Sequence, residues 1–194
     1  MAEPREYEVV ASSAAELKRK QIVEAARIVL ARDGVAGCTA RAVADASPLT
    51  KSAIHYYFRD IDEIVDAAVA AHLDAMLDGL RAVAARHDDP DERLRAVVRA
   101  YLDTFVDRPY AAFLWFEHWI AAGRRGERAA VEKMLVAVES LFAELLEARS
   151  PSGAAEDART LVSWLLGTVV QQHVRPLDEA ELESEIDRAL RRLR

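Results

Sequence analysis

A pair of short, capped helical segments around a three-residue turn constrains the fold of this chain more than any other feature. Thr39 can cap a helix that ends near Ala46, and Thr50 can cap a second helix that ends near Tyr56. Pro48 breaks the first helix, because a proline ring has no N–H and clashes with the preceding helical turn. With a longer helix before the pair, this spacing predicts a helix-turn-helix. The spacing alone also fits a helical hairpin with no role in DNA binding.

Caps and apolar periodicity predict helices over most of the remaining sequence. Only 7 of the 194 residues are glycine and 6 are proline, and many of them stand between segments of helical periodicity. No segment reads as a strand. The sequence therefore predicts an all-α fold of about nine helices, the first of which begins after a capping box at Ser13. After the two short helices, further helices are predicted close to residues 60–86, 90–105, 109–122, 127–149, 155–174 and 179–194.

Charge divides the sequence into two parts. The whole chain carries a formal charge of −7, which by itself argues against a nucleic-acid partner. Residues 14–59 hold eight bases and four acids, however, so this stretch carries +4 and the remainder −11. The asymmetry indicates a small basic module attached to an acidic body, with chance clustering of solvated charges as the alternative. Residues 1–13 are predicted to form a disordered tail.

The second short helix carries the donors that DNA recognition needs. In a helix-turn-helix, the N-terminal end of this helix enters the major groove. Thr50, Lys51 and Ser52 stand at that end and offer hydrogen-bond donors to phosphates and base edges. The aromatic run over 55–57 places ring-borne donors near the DNA backbone.

Residues 43–58 resemble a known family. They read VADASPLTKSAIHYYF, which is similar to the DNA-binding signature of the TetR/AcrR family of transcriptional regulators, Ile-Ala-x-x-Ala-Gly-Val-Ser-x-Gly-x-Leu-Tyr-x-Tyr/His-Phe, without a gap. The resemblance covers about residues 17–68. Beyond them only the helix plan and the length are similar, and the aromatic stretch around Trp115–Trp119 is loosely similar to the BetI-like members of the family.

The resemblance implies a helix-turn-helix DNA-binding domain over 14–59 and a helical effector-binding and dimerisation domain over 60–194. It implies a ligand-responsive homodimer, a repressor that a small, mostly apolar effector releases from a pseudo-palindromic DNA operator. By its place in the motif, Thr39 is expected to touch phosphate. The full set of predicted DNA-contacting residues is Thr39, Arg41, Thr50, Lys51, Ser52, Ala53, His55, Tyr56, Tyr57 and Arg59.

Three positions depart from the family pattern. Pro48 replaces the glycine of the turn, so a position that often has positive φ is held at about −65° and the turn must be of another type. His55 replaces a tyrosine. Ile61 replaces a lysine that commonly binds phosphate, and Arg59 is the candidate to make that contact instead. A helical small-molecule-binding or scaffold protein with a weakened DNA-reading head is therefore the alternative function.

The body after residue 60 offers a dimer interface and a ligand site. The segments 127–149 and 155–174 have large apolar faces, which pairing with a second copy would bury in a four-helix interface; internal core helices are the alternative. Aromatic residues nearby indicate a mostly apolar small-molecule site, with ordinary core packing as the alternative. The predicted ligand-binding residues are Tyr101, Phe105, Phe113, Trp115, Phe116, Trp119, Met134 and Trp164.

The sequence lacks the motifs of other function classes. It has no glycine-rich phosphate loop, no Gly-x-Ser-x-Gly and no Glu-x-x-His pair, so an enzyme is not predicted. Five scattered histidines and one cysteine predict neither a metal site nor a cofactor. Cys38 is interpreted as structural, with a redox-sensing thiol as the alternative. With no apolar run of membrane-spanning length and no secretory signal, the expected location is the cytoplasm.

Overall fold

A computed structural model gives the backbone of residues 6–106 and 109–193, and the side chains of these residues except 6–13, 106, 109–113 and 130. Within these ranges the chain forms nine helices and no strand, which confirms the all-α prediction. The helices are α1 (Glu6–Gly37), α2 (Ala40–Asp45), α3 (Lys51–Tyr57), α4 (Ile61–Ala84), α5 (Pro90–Val106), α6 (Pro109–Arg125), α7 (Arg128–Arg149), α8 (Ala154–Val174) and α9 (Glu179–Leu190).

The chain divides into two compact units between His72 and Leu73, inside α4. The first unit contains α1, α2, α3 and the first turns of α4, and the second unit contains the rest. The sequence predicts a domain boundary between residues 59 and 60, where α4 begins. The first unit extends into α4 because the apolar side chains of Ile64, Val65 and Ala68 in these turns are buried.

The first helix begins upstream of the predicted start. The structure carries α1 through residues 6–13, which the sequence predicts as part of a disordered tail, and through Ser13, which it predicts as the N-cap. Alanine is the strongest helix former, and Ala14 and Ala15 directly follow the serine, so local propensity favours a continuous helix here. Residues 1–5 of the predicted tail lie outside the described part of the chain.

Glycine sets two of the helix ends. Gly34 has a φ of 70°, which interrupts α1 one turn before its end. Gly126 has a φ of 78° and stands between α6 and α7. The sequence also predicts a break at Gly123, but α6 continues through that residue to Arg125. A glycine whose φ stays helical costs some helix propensity without ending the helix.

Aspartate caps begin three of the helices, as the sequence predicts. Asp60, Asp89 and Asp178 each accept a backbone N–H from the first turn of α4, α5 and α9, at 2.8 to 2.9 Å. In α9, Glu181 completes a capping box, because its carboxylate accepts the N–H of Asp178 at 3.0 Å. These local bonds satisfy amide groups that a helix start otherwise leaves unpaired.

The core of the second unit is built mainly from α5, α7 and α8. The chain itself buries much of the apolar face predicted on residues 127–149 and half of the face predicted on 155–174. These parts are therefore internal core, which was the alternative to a dimer interface. The largest fully buried side chains of these three helices are Leu94, Leu102, Leu141, Phe142, Leu146, Leu161 and Leu165.

An ionic cluster ties α9 to α5. Arg99 bonds both carboxylate oxygens of Glu179, at 2.6 and 2.8 Å, as well as Glu183 at 2.7 Å and Asp103 at 2.9 Å. The hydrogen bonds with Glu179 contribute most to raising the pKa of Arg99, and the same guanidinium lowers the pKa of Glu179. Arg95 adds an ion pair with Glu183 at 3.0 Å. The cluster fixes the short C-terminal helix on the body of the second unit.

Candidate DNA-binding surface and effector cavity

The turn between α2 and α3 is closed by a serine side chain. Ser47 Oγ accepts the N–H of Leu49 at 3.1 Å, and the Ser47 N–H donates to the carbonyl of Ala44 at 3.1 Å. Among the residues that the structure describes, only glycines have positive φ. The turn therefore accommodates Pro48 without a left-handed residue, as the departure from the family pattern predicts.

Two threonine caps hold the starts of α2 and α3. Thr39 Oγ1 accepts the N–H of Ala42 at 3.1 Å, and Thr50 Oγ1 accepts the N–H of Ala53 at 3.3 Å, which confirms both predicted caps. Each hydroxyl oxygen serves as an acceptor, so its proton remains able to donate to an anion such as phosphate. Both helix starts are exposed at the surface of the first unit.

Buried apolar side chains anchor the two short helices from below. Val43 of α2 and Ile54 of α3 are fully buried, and Phe58, just after α3, is 2% exposed. Within α3, Ile54 is buried whereas Lys51, Ser52, His55 and Tyr56 are exposed, so one face of the helix is fixed in the core while the other faces solvent.

Most of the predicted DNA-contacting residues share that exposed surface. Tyr56 is 83% exposed, and its ring packs edge to face against Tyr57, with 5.0 Å between the ring centroids. An aromatic side chain this exposed is available to a partner. Ala53 and Tyr57 are half-buried. The exposed members of the set are Thr39, Arg41, Thr50, Lys51, Ser52, His55, Tyr56 and Arg59.

Arg41 and Lys51 form no ion pair within the described residues, so their charges face solvent. By contrast, Arg27 and Arg32 of α1 bond neighbouring carboxylates of the same helix, at 2.7 and 2.6 Å. Arg59, the candidate substitute for the family's phosphate-gripping lysine, lies 3.5 Å from a carboxylate oxygen of α4, but its side chain is 86% exposed. Arg41 and Lys51, at the starts of α2 and α3, thus remain available to an anionic partner, as does the exposed Lys20 of α1.

Arg19 of α1 contacts both the end of α3 and the start of α4. Its guanidinium donates to the carbonyl of Tyr57, bonds Glu63 at 3.0 Å and lies 4.0 Å above the ring centroid of Phe58. The backbone N–H of Arg59 and then the Arg19 side chain lower the pKa of the Glu63 carboxyl. The sequence analysis missed this contact, because Arg19 precedes its partners by about forty residues and no local pattern joins them.

An aromatic cluster in the second unit brings together most of the predicted ligand-binding residues. Six of the eight meet there, together with aliphatic side chains of α7 and α8. The side chain of Phe113 lies outside the described residues. The lining consists of Tyr101, Phe105, Trp115, Phe116, Trp119, Met134, Leu135, Val138, Val162, Leu166 and Val169.

The rings of this cluster pack against one another. Trp119 stands nearly perpendicular to Trp115 and to Phe116, with centroid distances of 6.2 and 5.7 Å, and Tyr101 lies 5.2 Å from Phe105. The cavity between them measures only about 20 Å³. Burial raises the pKa of the Tyr101 phenol, so this hydroxyl stays protonated. In this conformation the cluster resembles a packed core, and a ligand must displace side chains to enter.

A larger cavity of about 300 Å³ adjoins the cluster through Phe105 and Val169, which line both. Its wall is polar. Arg99 and Asp103 of the ionic cluster contribute to it, and so does Gln172, whose side-chain oxygen accepts the N–H of Leu177 at 2.6 Å. Arg99 and Asp103 are not among the ligand-binding residues that the sequence predicts.

Trp164 does not join the aromatic cluster. It lines a groove of about 810 Å³ along another face of α8, with Gly167, Val170 and Val174. The helical rotation of about 100° per residue explains the separation, because Val162 and Leu166 are each two residues from Trp164 and so lie on the opposite face of the helix. Val170 is 45% exposed and Val174 84% exposed.

Cys38 is buried at the end of α1, with 4% of its surface exposed. Burial, and then the nearby charge of Asp33, raise the pKa of its thiol to about 11. A thiol with such a pKa is protonated at neutral pH and reacts slowly, which favours the structural interpretation over redox sensing.

Two further features concern the described ranges, residues 6–106 and 109–193. No group of three or more histidine, cysteine or acidic side chains is placed there so that it could hold a metal ion. None of the helices there combines the length and apolar character that crossing a membrane requires.

Residues 22–68 match the family model described as "Bacterial regulatory proteins, tetR family". This stretch holds most of α1, the capped pair α2 and α3, and the start of α4, so the first unit is the DNA-binding module of a helix-turn-helix transcriptional regulator. This module is that of the TetR family. Members of this family are transcriptional regulators rather than enzymes.

Similarity extends beyond the matched module. The transcriptional regulator BetI of Burkholderia thailandensis is 28% identical over 170 residues, which cover 79% of this chain and 83% of that protein. A TetR transcription regulator from Haloarcula marismortui superposes with a TM-score of 0.73 at 19% identity, over 92% of this chain and 97% of that one. The TetR-family repressor FadR of Thermus thermophilus, solved with lauroyl-CoA, gives a TM-score of 0.67 at 20% identity, over 90% and 92%. These structures share the fold of this chain.

Proposed function

We propose that this chain is a homodimeric repressor that binds a pseudo-palindromic DNA operator and leaves it when a small, mostly apolar effector binds the second unit. The exposed starts of α2 and α3 carry the proposal, because hydroxyl donors and unpaired cations stand together there on the module that matches the family model. A helix N-terminus with such donors attracts anions.

The proposed contacts divide between phosphates and bases. Thr39 and Arg41 hold phosphate at the start of α2, and Thr50 and Lys51 do so at the start of α3. The remaining contacts come from the exposed or half-exposed residues of α3 and the segment after it: Ser52, Ala53, His55, Tyr56, Tyr57 and Arg59.

The distribution of charge supports contact through the first unit alone. Residues 14–59 carry +4 and the remainder of the chain −11. Phosphates attract the basic stretch and repel the acidic remainder. The net charge of −7 is therefore compatible with DNA binding by the basic module.

The exposed face of α8 supports the proposed dimer. Val170 and Val174 expose apolar surface on it, next to Trp164. No atom lies within 4 Å of the place where a Cβ on Gly167 would stand, so the backbone is open to close approach by another helix. Pairing with the same face of a second copy would bury this surface in an isologous interface.

The proposed effector site is the aromatic cluster of the second unit. A protein of this fold, FadR of Thermus thermophilus, was solved with lauroyl-CoA, a ligand whose acyl chain is apolar and whose CoA part is charged. Because α4 runs from the first unit into the second, it is the covalent link through which the effector acts. A ligand that binds better to a state with altered α4 lowers the population of the DNA-binding state.

Fluorescence anisotropy with labelled DNA from the chain's own upstream region tests DNA binding. Each phosphate contact that Lys51→Ala removes is expected to lower the salt slope by about 0.9, or by about 2 in a dimer, and to weaken binding across sequences. Lys133→Ala, an exposed lysine on α7, is the matched control and should change neither quantity. An unchanged slope in Lys51→Ala argues against its phosphate contact, and absence of binding at low salt favours a scaffold protein.

Light scattering on the purified chain tests the dimer. We expect a mass of two copies for the unmodified chain and of one copy for Gly167→Arg, because an arginine side chain blocks the close approach at α8. Ile120→Glu, at an exposed apolar residue of α6, should remain dimeric. A monomeric unmodified chain at micromolar concentration contradicts the proposed dimer.

A further inference from the structure

Two indole N–H groups of the aromatic cluster have no acceptor among the residues that the structure describes. The Nε1 atoms of Trp115 and Trp119 are both buried, and neither has a hydrogen-bond partner among the described residues. Trp115 as a whole is only 8% exposed. Buried donors in folded proteins are almost always paired, so two unpaired donors in one cavity wall call for an explanation.

The two groups lie on the same side of α6. Residues four apart in a helix are neighbours on one face, and both indoles line the same small cavity. The two rings therefore belong to one wall of this cavity.

The chemistry of the lining selects an uncharged ligand. None of the eleven lining side chains is ionisable near neutral pH, since Tyr101 stays protonated. The polar groups that the lining offers are indole N–H groups, which only donate, and the Tyr101 hydroxyl. A cation would meet donor hydrogens there, and the faces of the indoles are partly covered by ring edges.

We propose that the effector is an uncharged, mostly apolar molecule with a carbonyl-type oxygen that accepts the N–H of Trp115. This inference rests on the proposed effector role of the cluster and specifies its ligand class. The hydrogen bond supplies the acceptor that the closed state lacks, and the aromatic and aliphatic walls bury the rest of the molecule.

The adjoining cavity supplies the room that the closed cluster lacks. Phe105 and Val169 separate the cluster from the cavity of about 300 Å³. Rotation of the Phe105 side chain joins the two spaces, and their combined volume then falls within the range of small-molecule sites. Arg99, which lines this cavity, is already engaged by the carboxylates of Glu179 and Glu183, so the ligand needs no charge.

Two compounds of matched shape test the acceptor directly. Benzophenone carries a carbonyl where diphenylmethane carries a methylene. The experiment uses the full chain, labelled with ¹⁵N at tryptophan and free of DNA. We expect benzophenone to move the Trp115 indole resonance downfield. We also expect it to bind about tenfold more tightly than diphenylmethane, because one net hydrogen bond provides about that preference. The resonance is assigned from Trp115→Phe.

Trp115→Phe removes the donor and keeps an aromatic ring. In this variant the preference for benzophenone should disappear, whereas Trp164→Phe, outside the cluster, should retain it. The proposal is overturned if the unmodified chain binds both compounds equally or binds neither. It is also overturned if the preference for benzophenone survives in Trp115→Phe. If Trp115→Phe does not fold, the comparison of the two compounds on the unmodified chain decides. Because no DNA is present, a failure here is distinct from a failure of operator binding.

Discussion

Replacing Arg19 by methionine is expected to loosen α3 while the second unit stays intact. Arg19 donates to the Tyr57 carbonyl, pairs with Glu63 and stacks on Phe58. Methionine keeps an unbranched apolar stem but makes none of these three interactions. Because they join α1 to the end of α3 and the start of α4, their loss acts on the helix that is proposed to read DNA.

The magnitude follows from the three interactions. A hydrogen bond to a charged group contributes about 1.5–3 kcal/mol, an exposed ion pair about 0.2–1 kcal/mol and an exposed cation–π contact about 0.5–1 kcal/mol. The Arg19 side chain is 43% exposed, so solvent screening favours the lower ends of these ranges. We expect a loss of about 2 kcal/mol, which is about 30-fold in the equilibrium for opening α3.

Native-state hydrogen exchange measures this opening at the helix itself. The amides of Ile54 and Phe58 donate to carbonyls within or next to α3, and their protection should fall about 30-fold in Arg19→Met. Arg32→Met is the control, because Arg32 pairs only with its neighbour Asp33 and its side chain is 64% exposed, so we expect less than about a twofold change. All three tryptophans lie in the second unit, and their emission should stay the same.

Unchanged protection of Phe58 in Arg19→Met would refute the reasoning. An equal loss in Arg19→Met and Arg32→Met would refute it as well, because any arginine of α1 would then have the same effect.

Three further predictions concern stability and reactivity. Because the pKa of Glu63 is lowered in the folded chain, its ionised carboxylate stabilises the fold fully above the ordinary glutamate pKa. This stabilisation is lost as the pH falls through the folded-state pKa. Urea titrations should therefore show a steeper loss of stability in acid for the unmodified chain than for Glu63→Gln. Cys38 should react with a thiol reagent at neutral pH only as fast as the first unit opens, since its pKa is about 11, and a fast reaction of the folded chain would show that it is accessible. Arg99→Met should lower the stability of the second unit, followed by tryptophan emission, by about 1–2 kcal/mol, whereas Arg188→Met, which breaks one surface pair, should cost less than about 0.5 kcal/mol.

Local features of the fold could be predicted from the sequence because their partners are local. Thr39 and Thr50 cap helices through bonds to residues three positions away, and both caps are present as predicted. The start of α1 differs because a capping box and strong helix formers compete at Ser13, and the sequence does not reveal which prevails.

Long-range contacts could not be predicted in the same way. The pairing of Arg19 with the end of α3 joins residues whose separation in sequence carries no periodic signal. Apolar periodicity identified the face of α7 but not what covers it, and the structure shows that the chain itself buries Leu141 and Phe142. Trp164 was grouped with the other aromatics by residue type, whereas its position on α8 turns it away from them.

The central claim is that the first unit reads a two-fold symmetric DNA site. Selection of bound sequences from a random double-stranded library measures this most directly. The account predicts an enriched pseudo-palindrome whose half-sites lie about one helical turn or a multiple of it apart, as two related reading heads require. The enrichment should be lost in a variant that carries both Arg41→Ala and Lys51→Ala. Failure of the unmodified chain to enrich any sequence, or equal enrichment by that variant, would contradict the account.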